Sequence, residues 1–168
     1  MASAGNGTSS HLAGELFKIM TGVNLIHIPY RGSPLALTDL LGGQVEVYFA
    51  PMPPSIEYIR TGKLRALGVT GVTRYEALPD IPALGELVPG YEASTWTGIG
   101  APRNIAPAIV DNLNKEINAI LAAPKMKVRF YEFGGTAIGG SPGDFGKFIA
   151  AEIEKCGTVI RTANIRPG

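Results

Sequence analysis

Three short stretches of the 168-residue chain hold the groups that could recognise something: Gly5-Asn6-Gly7-Thr8-Ser9-Ser10, Tyr30-Arg31-Gly32-Ser33, and Ala50-Pro-Met-Pro-Pro-Ser55. Their donors are hydroxyls, backbone amides and one guanidinium, that of Arg31. This chemistry suits a carboxylate, which an arginine can pair bidentately. Each stretch stands ahead of an expected helix, whose first amides lack intrahelical acceptors and whose dipole end is positive. Glycines before a capped helix form an anion cradle for the same reason a phosphate loop does. The alternative for all three is a set of satisfied helix caps with a solvated arginine and no ligand.

Other chemistry is less well supplied. His11 and His27 are the only histidines, and Glu15 is the one carboxylate at helical spacing from His11, so no metal site is expected. The first glycine loop lacks the Lys-Ser/Thr pair of a phosphate-binding loop, and no nucleophile elbow or HExxH pattern is present. Cys156 falls in an expected helix and reads as a packed thiol. Trp96 reads as core or pocket wall, and Asp39 and Glu46 as solvated. The chain is expected to be a non-enzyme with no cofactor.

The elements that would position these loops alternate. Leu12, Leu16, Ile19 and Met20 recur at helical spacing over His11–Met20, with Ser9 or Ser10 as N-cap and Thr21-Gly22 as the stop. Val23–Ile28 is apolar and β-branched, a strand that Pro29 should end. Ser33-Pro34 reads as N-cap and first turn of a helix over Leu35–Leu41, closed by Gly42-Gly43. Further strands are expected at Val45–Phe49, Leu64–Thr70, Ser94–Gly100 and Thr136–Ile138. Helices are expected at Ile56–Arg60, Ala83–Leu87, Ala108–Ala122, Lys125–Phe133 and from Ser141-Pro142 to about Thr162. Ile109, Leu113 and Ile117 supply one buried stripe, and Phe145, Phe148, Ile153 and Ile160 another. This is an α/β pattern: a parallel or mixed sheet with flanking helices, then a helical C-terminal segment.

Composition narrows the classes. Hydrophobic residues make up 45% and charged residues 17%, which describes an ordered chain with a real core. A formal net charge of +1 provides no field for nucleic acid, so no nucleic-acid partner is expected. No apolar run approaches the roughly 18 to 20 residues of a spanning helix. The opening Met1-Ala-Ser-Ala has neither a charged start nor an apolar segment, so no signal peptide is read in it.

The stretch Gly5-Asn-Gly-Thr-Ser-Ser-His-Leu-Ala-Gly-Glu-Leu-Phe-Lys18, followed by His27-Ile-Pro-Tyr-Arg-Gly-Ser-Pro-Leu-Ala-Leu-Thr-Asp-Leu-Leu-Gly-Gly-Gln44, resembles the Bug, or TctC, receptors of tripartite tricarboxylate transporters. Ile59–Thr70, Leu78–Pro82, Pro89–Glu92 with Trp96–Gly98, and Glu152–Ile165 are similar to the same family. The resemblance implies part of a type II periplasmic-binding-protein fold, in which two α/β lobes close on a small carboxylated ligand. It implies that residues 1–96 belong to the second lobe and that 97–168 return to the first. It also implies that Gly5–Ser9, Tyr30–Ser33 and Ala50 line the cleft. Family members often carry an aspartate at the position of Ala50, which favours amino-containing ligands, so a di- or tricarboxylate is expected here.

By the same resemblance the chain corresponds to roughly the second half of a receptor, a truncated product. The candidate ligand set is Gly5, Asn6, Gly7, Thr8, Ser9, His11, Tyr30, Arg31, Gly32, Ser33 and Ala50. The implied partners are a small carboxylate and membrane transporter subunits, with a periplasmic location. A homo-oligomer is expected through an exposed sheet edge and the C-terminal helices. Two other readings stand beside this one: the effector-binding lobe of a regulator, and a truncated chain that binds no ligand.

Overall fold

The computed structural model describes residues 1–166; residues 167 and 168, the end of the expected C-terminal segment, lie outside the described residues. The chain divides into two compact units, Met1–Thr95 with the chain from Lys155 onward, and Trp96–Glu154.

The first unit is built on a strand that propensity does not announce. Ala2–Ser3 form β1, both fully buried, and pair in parallel with β2, Ile28–Pro29. On its other side Ala2 makes a parallel bridge to Tyr48, so β1 lies between the two neighbours. The amides of Ile28 and Tyr30 donate to Met1 and Ser3 carbonyls at 2.9 and 3.0 Å, and the Ala2 amide donates to Val47 O at 2.7 Å. Small residues with no β-branch hide this strand in the sequence. A side chain on Gly14 would collide with the Met1 thioether and stand 3.2 Å from the Phe49 ring.

Several expectations are corrected here. The second strand is confined to Ile28–Pro29 and does not run from Val23, because its neighbour β1 is two residues long. Pro29 is the last residue of that strand, as expected. The amides of Ile28 and Tyr30 face β1, so the nitrogen of Pro29 falls on the outer edge, where no ladder bond is lost. Val45–Phe49 contributes the single bridge at Tyr48, and Leu64–Thr70 the single bridge Val69↔Ala83. No strand forms at 94–100 or 136–138, where no partner runs alongside among the described residues.

Helices follow each strand end. α1 spans Ser9–Thr21, α2 Ser33–Leu41 and α3 Met52–Arg60. α1 stops at Gly22, which is left-handed (φ 72°) as expected, with its amide on Lys18 O. At the end of α2 the turn comes one residue later than the first glycine of its pair: Gly42 is right-handed and Gly43 is left-handed at φ 70°. The Gln44 amide then reaches Asp39 O at 2.8 Å, which satisfies an end carbonyl. Ala2, Ala36 and Val45 form the centre of this layer, with Tyr30, Leu40 and Tyr48 around it. Short α4, Leu84–Leu87, precedes Tyr91, whose hydroxyl donates to Ala13 O at 3.0 Å. That buried bond and the edge-on contact of Tyr91 with Phe17 tie residues 84–91 to α1. Lys155 pairs with Glu92 within the same unit.

The second unit carries α5, Pro107–Ala122, and α6, Pro124–Glu132, with α7, Pro142–Thr162, starting there. Ser141 caps α7 as expected: the Asp144 amide donates to its Oγ at 3.1 Å, and its hydroxyl donates to Asp144 Oδ2 at 2.6 Å. Asn118 holds Gly140 from both sides, accepting its amide at 2.8 Å and donating to its carbonyl at 3.0 Å. Trp96 stands edge-on to Phe145 and Phe148 and stays 42% exposed. The expected buried stripes are not buried: no residue of α5 is, and only Val159 of α7 is. No helix among the described residues is long and apolar enough to cross a membrane.

Candidate functional site

Three loops leave the carboxyl ends of three adjacent parallel segments, and each runs into a helix N-terminus. In open α/β sheets this is where ligands sit. The loops are knitted together. The Gly32 amide donates to Ala4 O at 3.1 Å, and a side chain on Gly5 would press on Tyr30 O at 3.2 Å. The Tyr48 hydroxyl donates to Ser33 Oγ at 2.9 Å.

The first loop is held from below by buried polar groups. Ser3 Oγ accepts the Gly5 amide at 3.1 Å and lies 2.6 Å from His27 Nε2. Ser10 Oγ accepts the Ala4 amide at 2.9 Å. The Gly7 amide donates to His11 Nδ1 at 3.1 Å. Thr8, not Ser9 or Ser10, is the N-cap residue, and its hydroxyl donates to Gly5 O at 2.7 Å without capping the helix. Ser10 is unavailable as a cap because it is buried beneath the loop. Gly5 (φ 135°) and Gly7 (φ 71°) both take backbone conformations that disfavour side chains. Among the described residues no protein acceptor meets the amides of Asn6, Ser9 or Ser10.

The second loop differs from expectation in its cap. Gly32, at φ 108°, is the N-cap, and Ser33 is the first residue of α2. Ser33 Oγ is thereby free of capping and accepts from Tyr48 instead. Its own proton remains available to a ligand. Tyr30 turns its hydroxyl to Asp39 Oδ2 at 2.8 Å, so Asp39 is not merely solvated. That hydrogen bond holds the Tyr30 phenol above its ordinary pKa. Arg31 is exposed, and among the described residues its guanidinium meets no carboxylate.

Gly5, Gly7, Thr8, Tyr30, Gly32 and Ser33 are thus brought into direct contact with one another or with shared neighbours. Asn6, Ser9 and Arg31 stand exposed at the same rim, and Ala50 is half-buried two residues after Tyr48. His11 is 6% exposed, and its Nδ1 is occupied by the loop. Ser10 and His27, read in the sequence as a cap and an isolated histidine, instead support the site from beneath, and Ser3 and Tyr48 do so without standing out in the sequence. The signal that could have found Ser3 is positional: a glycine loop opening a helix in this fold follows a strand.

The positive contribution at the rim is that of Arg31 and the helix N-termini, not of the histidines beneath it. Burial, followed by repulsion from His11, pushes His27 down to about 4, and burial also lowers His11, so the base of the loop is uncharged at neutral pH. No carboxylate lies among Gly5–Ser10 or Tyr30–Ser33. Among the described residues no group of His, Cys, Asp and Glu side chains is arranged to hold a metal ion.

Comparison with known proteins points the same way. Residues 1–165 match the profile of TctC, the tripartite tricarboxylate transporter family receptor. A protein encoded in the tcbD-tcbE intergenic region of Pseudomonas sp. strain P51 is 38% identical over 156 residues, covering 92% of this chain and 46% of that protein. The chain therefore spans about half the length of that relative. The R. palustris protein Rpa4515, solved with adipate, is 38% identical with a TM-score of 0.92, covering 99% of this chain and 56% of the other. The periplasmic binding protein BugD is 32% identical with a TM-score of 0.83, covering 98% and 56%. The α/β fold is that of periplasmic binding proteins.

Proposed function

Because the chain belongs to the tripartite tricarboxylate transporter receptor family, we propose that it binds a small carboxylate at the rim formed by Gly5–Ser9 and Tyr30–Ser33. It would do so as part of a periplasmic solute-binding receptor. The observation that carries this reading is the convergence of three helix N-termini, with unpaired amides and the Ser33 hydroxyl, at the carboxyl ends of three neighbouring segments. A carboxylate accepts from such donors without any titration or metal. The solved relative that holds adipate supports a dicarboxylate. Ala50 supports it too, since an acidic side chain there would repel a second carboxylate. Arg31, exposed on the same loop, is the cation that would pair with that second group.

Calorimetric titration with adipate, a monocarboxylate of matched length and the neutral diamide tests the reading. Adipate should bind more tightly than the monocarboxylate, and the diamide should give no heat. Absence of heat with every carboxylate would contradict it and favour a chain that binds no ligand. Delivery to a tripartite transporter is proposed from the family alone. Its test is whether neighbouring genes encode membrane transporter components. A DNA-binding module upstream in the same reading frame would instead favour a regulatory effector lobe.

A further inference from the structure

Two imidazoles lie face to face under the anion loop. His11 and His27 stack with ring centroids 3.7 Å apart and planes 9° from parallel. Each holds part of the loop: His11 Nδ1 takes the Gly7 amide, and His27 Nε2 meets Ser3 Oγ, which in turn takes the Gly5 amide. An Nδ1 that accepts cannot carry a proton, so His11 is the neutral Nε2–H tautomer.

The charged groups facing the pair leave little room for a positive ring. From α1, Glu15 Oε1 lies 3.7 Å from His11 Nε2, but Lys18 already occupies the same oxygen at 2.8 Å. From the start of the chain, just ahead of β1, comes the Met1 amino group, and each histidine faces the other. A proton on one ring would sit against the second ring with Glu15 already shared.

We infer that the His11–His27 stack is an acid-sensitive positioning device for the anion loop, holding Gly5–Ser10 in its binding shape only while both rings are uncharged. Protonation of His11 Nδ1 sets two donors, N–H against N–H, where one hydrogen bond stood. The Gly7 amide then leaves its position, and the neighbouring amides of Asn6 and Ser9 lose their common aim. Neither histidine touches the ligand; both act through the loop. The consequence for carboxylate affinity rests on the proposed function, whereas the coupling of ring to loop does not.

An 15N NMR titration of the full chain from neutral pH to about pH 3, past the expected midpoints, tests the coupling without any ligand. The His11 ring should be in its Nε2–H form at neutral pH, His27 should titrate near about 4 and His11 below 6.5, and the Gly7 amide should shift and exchange faster as His11 is protonated. The Ile28 and Tyr30 amides in the sheet should stay protected. In His11→Asn, Oδ1 replaces Nδ1 as an acceptor that does not titrate, so the Gly7 amide should no longer follow pH. Adipate affinity, compared between neutral pH and about pH 4, should fall more in the natural chain than in His11→Asn, which corrects for protonation of adipate itself.

Rings that titrate independently near 6.5, a Gly7 amide indifferent to their protonation, or sheet amides lost at the same midpoint would each overturn the inference. Should His11→Asn fail to fold, the titration of the natural chain decides alone. If adipate binds at neither pH, the ligand assignment falls while the titration still judges the stack.

Discussion

The hydroxyl of Tyr48 donates to Ser33 Oγ over 2.9 Å, joining the end of one strand segment to the head of the helix that follows another. Because Ser33 Oγ accepts in this bond, its own hydrogen is left free to donate at the rim, where, among the described residues, the Arg31 and Ser33 amides meet no protein acceptor.

Loss of the tyrosine hydroxyl should therefore weaken carboxylate binding without direct contact. Tyr48→Phe should cost about 0.5 to 1.5 kcal/mol of binding, the worth of one neutral hydrogen bond. Ser33→Ala should cost about 1.5 to 3 kcal/mol, because the lost bond is to a charged group. The double variant should match Ser33→Ala alone in calorimetry. Additive losses would mean that the two side chains act separately.

Two glycines of one loop should respond differently to alanine. Gly5 has φ 135°, and a side-chain carbon there would stand 3.2 Å from Tyr30 O, so Gly5→Ala meets both strain and contact. Gly7 has φ 71° with open space around it, so Gly7→Ala meets strain alone. Urea unfolding should show a loss of about 1 kcal/mol for Gly7→Ala and a larger one for Gly5→Ala. Equal losses would remove the close approach to Tyr30 from the account.

Stability should fall in mild acid. His27 ordinarily titrates at 6.5 and is pushed down to about 4 in the fold. Between those values the unfolded chain takes up a proton that the folded chain refuses. The stabilisation is thus complete above about 6.5 and declines as pH falls toward 4. Urea midpoints across that window should drop, and His27→Gln should flatten the slope. A midpoint independent of pH would count against a buried neutral pair.

Much of this architecture was legible. Pro107 and Pro142 begin helices where proline is tolerated at the first turn, and Gly22 ends one where a left-handed residue is required. Those are local rules, and locally they suffice. What failed depended on neighbours. Ser3 looks like a loop residue until pairing on both sides of β1 makes it part of a sheet centre. Ser33 looks like a cap until Gly32 takes that place at φ 108°. The donor set of the rim was readable because it is backbone chemistry at helix starts. Its supports, Ser10, His27 and Tyr48, were not, because their roles depend on how the folded chain brings separate segments together.

Self-association is a further expectation. Ile109, Leu113 and Ile120 of α5 and Ile153 of α7 are between 44% and 67% exposed, an apolar surface that a second copy could cover. Light scattering after size exclusion should report a dimer or larger. A cooperative monomer at micromolar concentration would refute it.

The central claim is that a carboxylate binds at the joined loops, and amide chemical-shift mapping with adipate tests it most directly, since it registers even weak binding. Saturable shifts should concentrate at Asn6, Gly7, Thr8, Ser9, Arg31, Gly32 and Ser33, with the neutral diamide producing none. Shifts centred elsewhere, or none at millimolar adipate, would contradict the account.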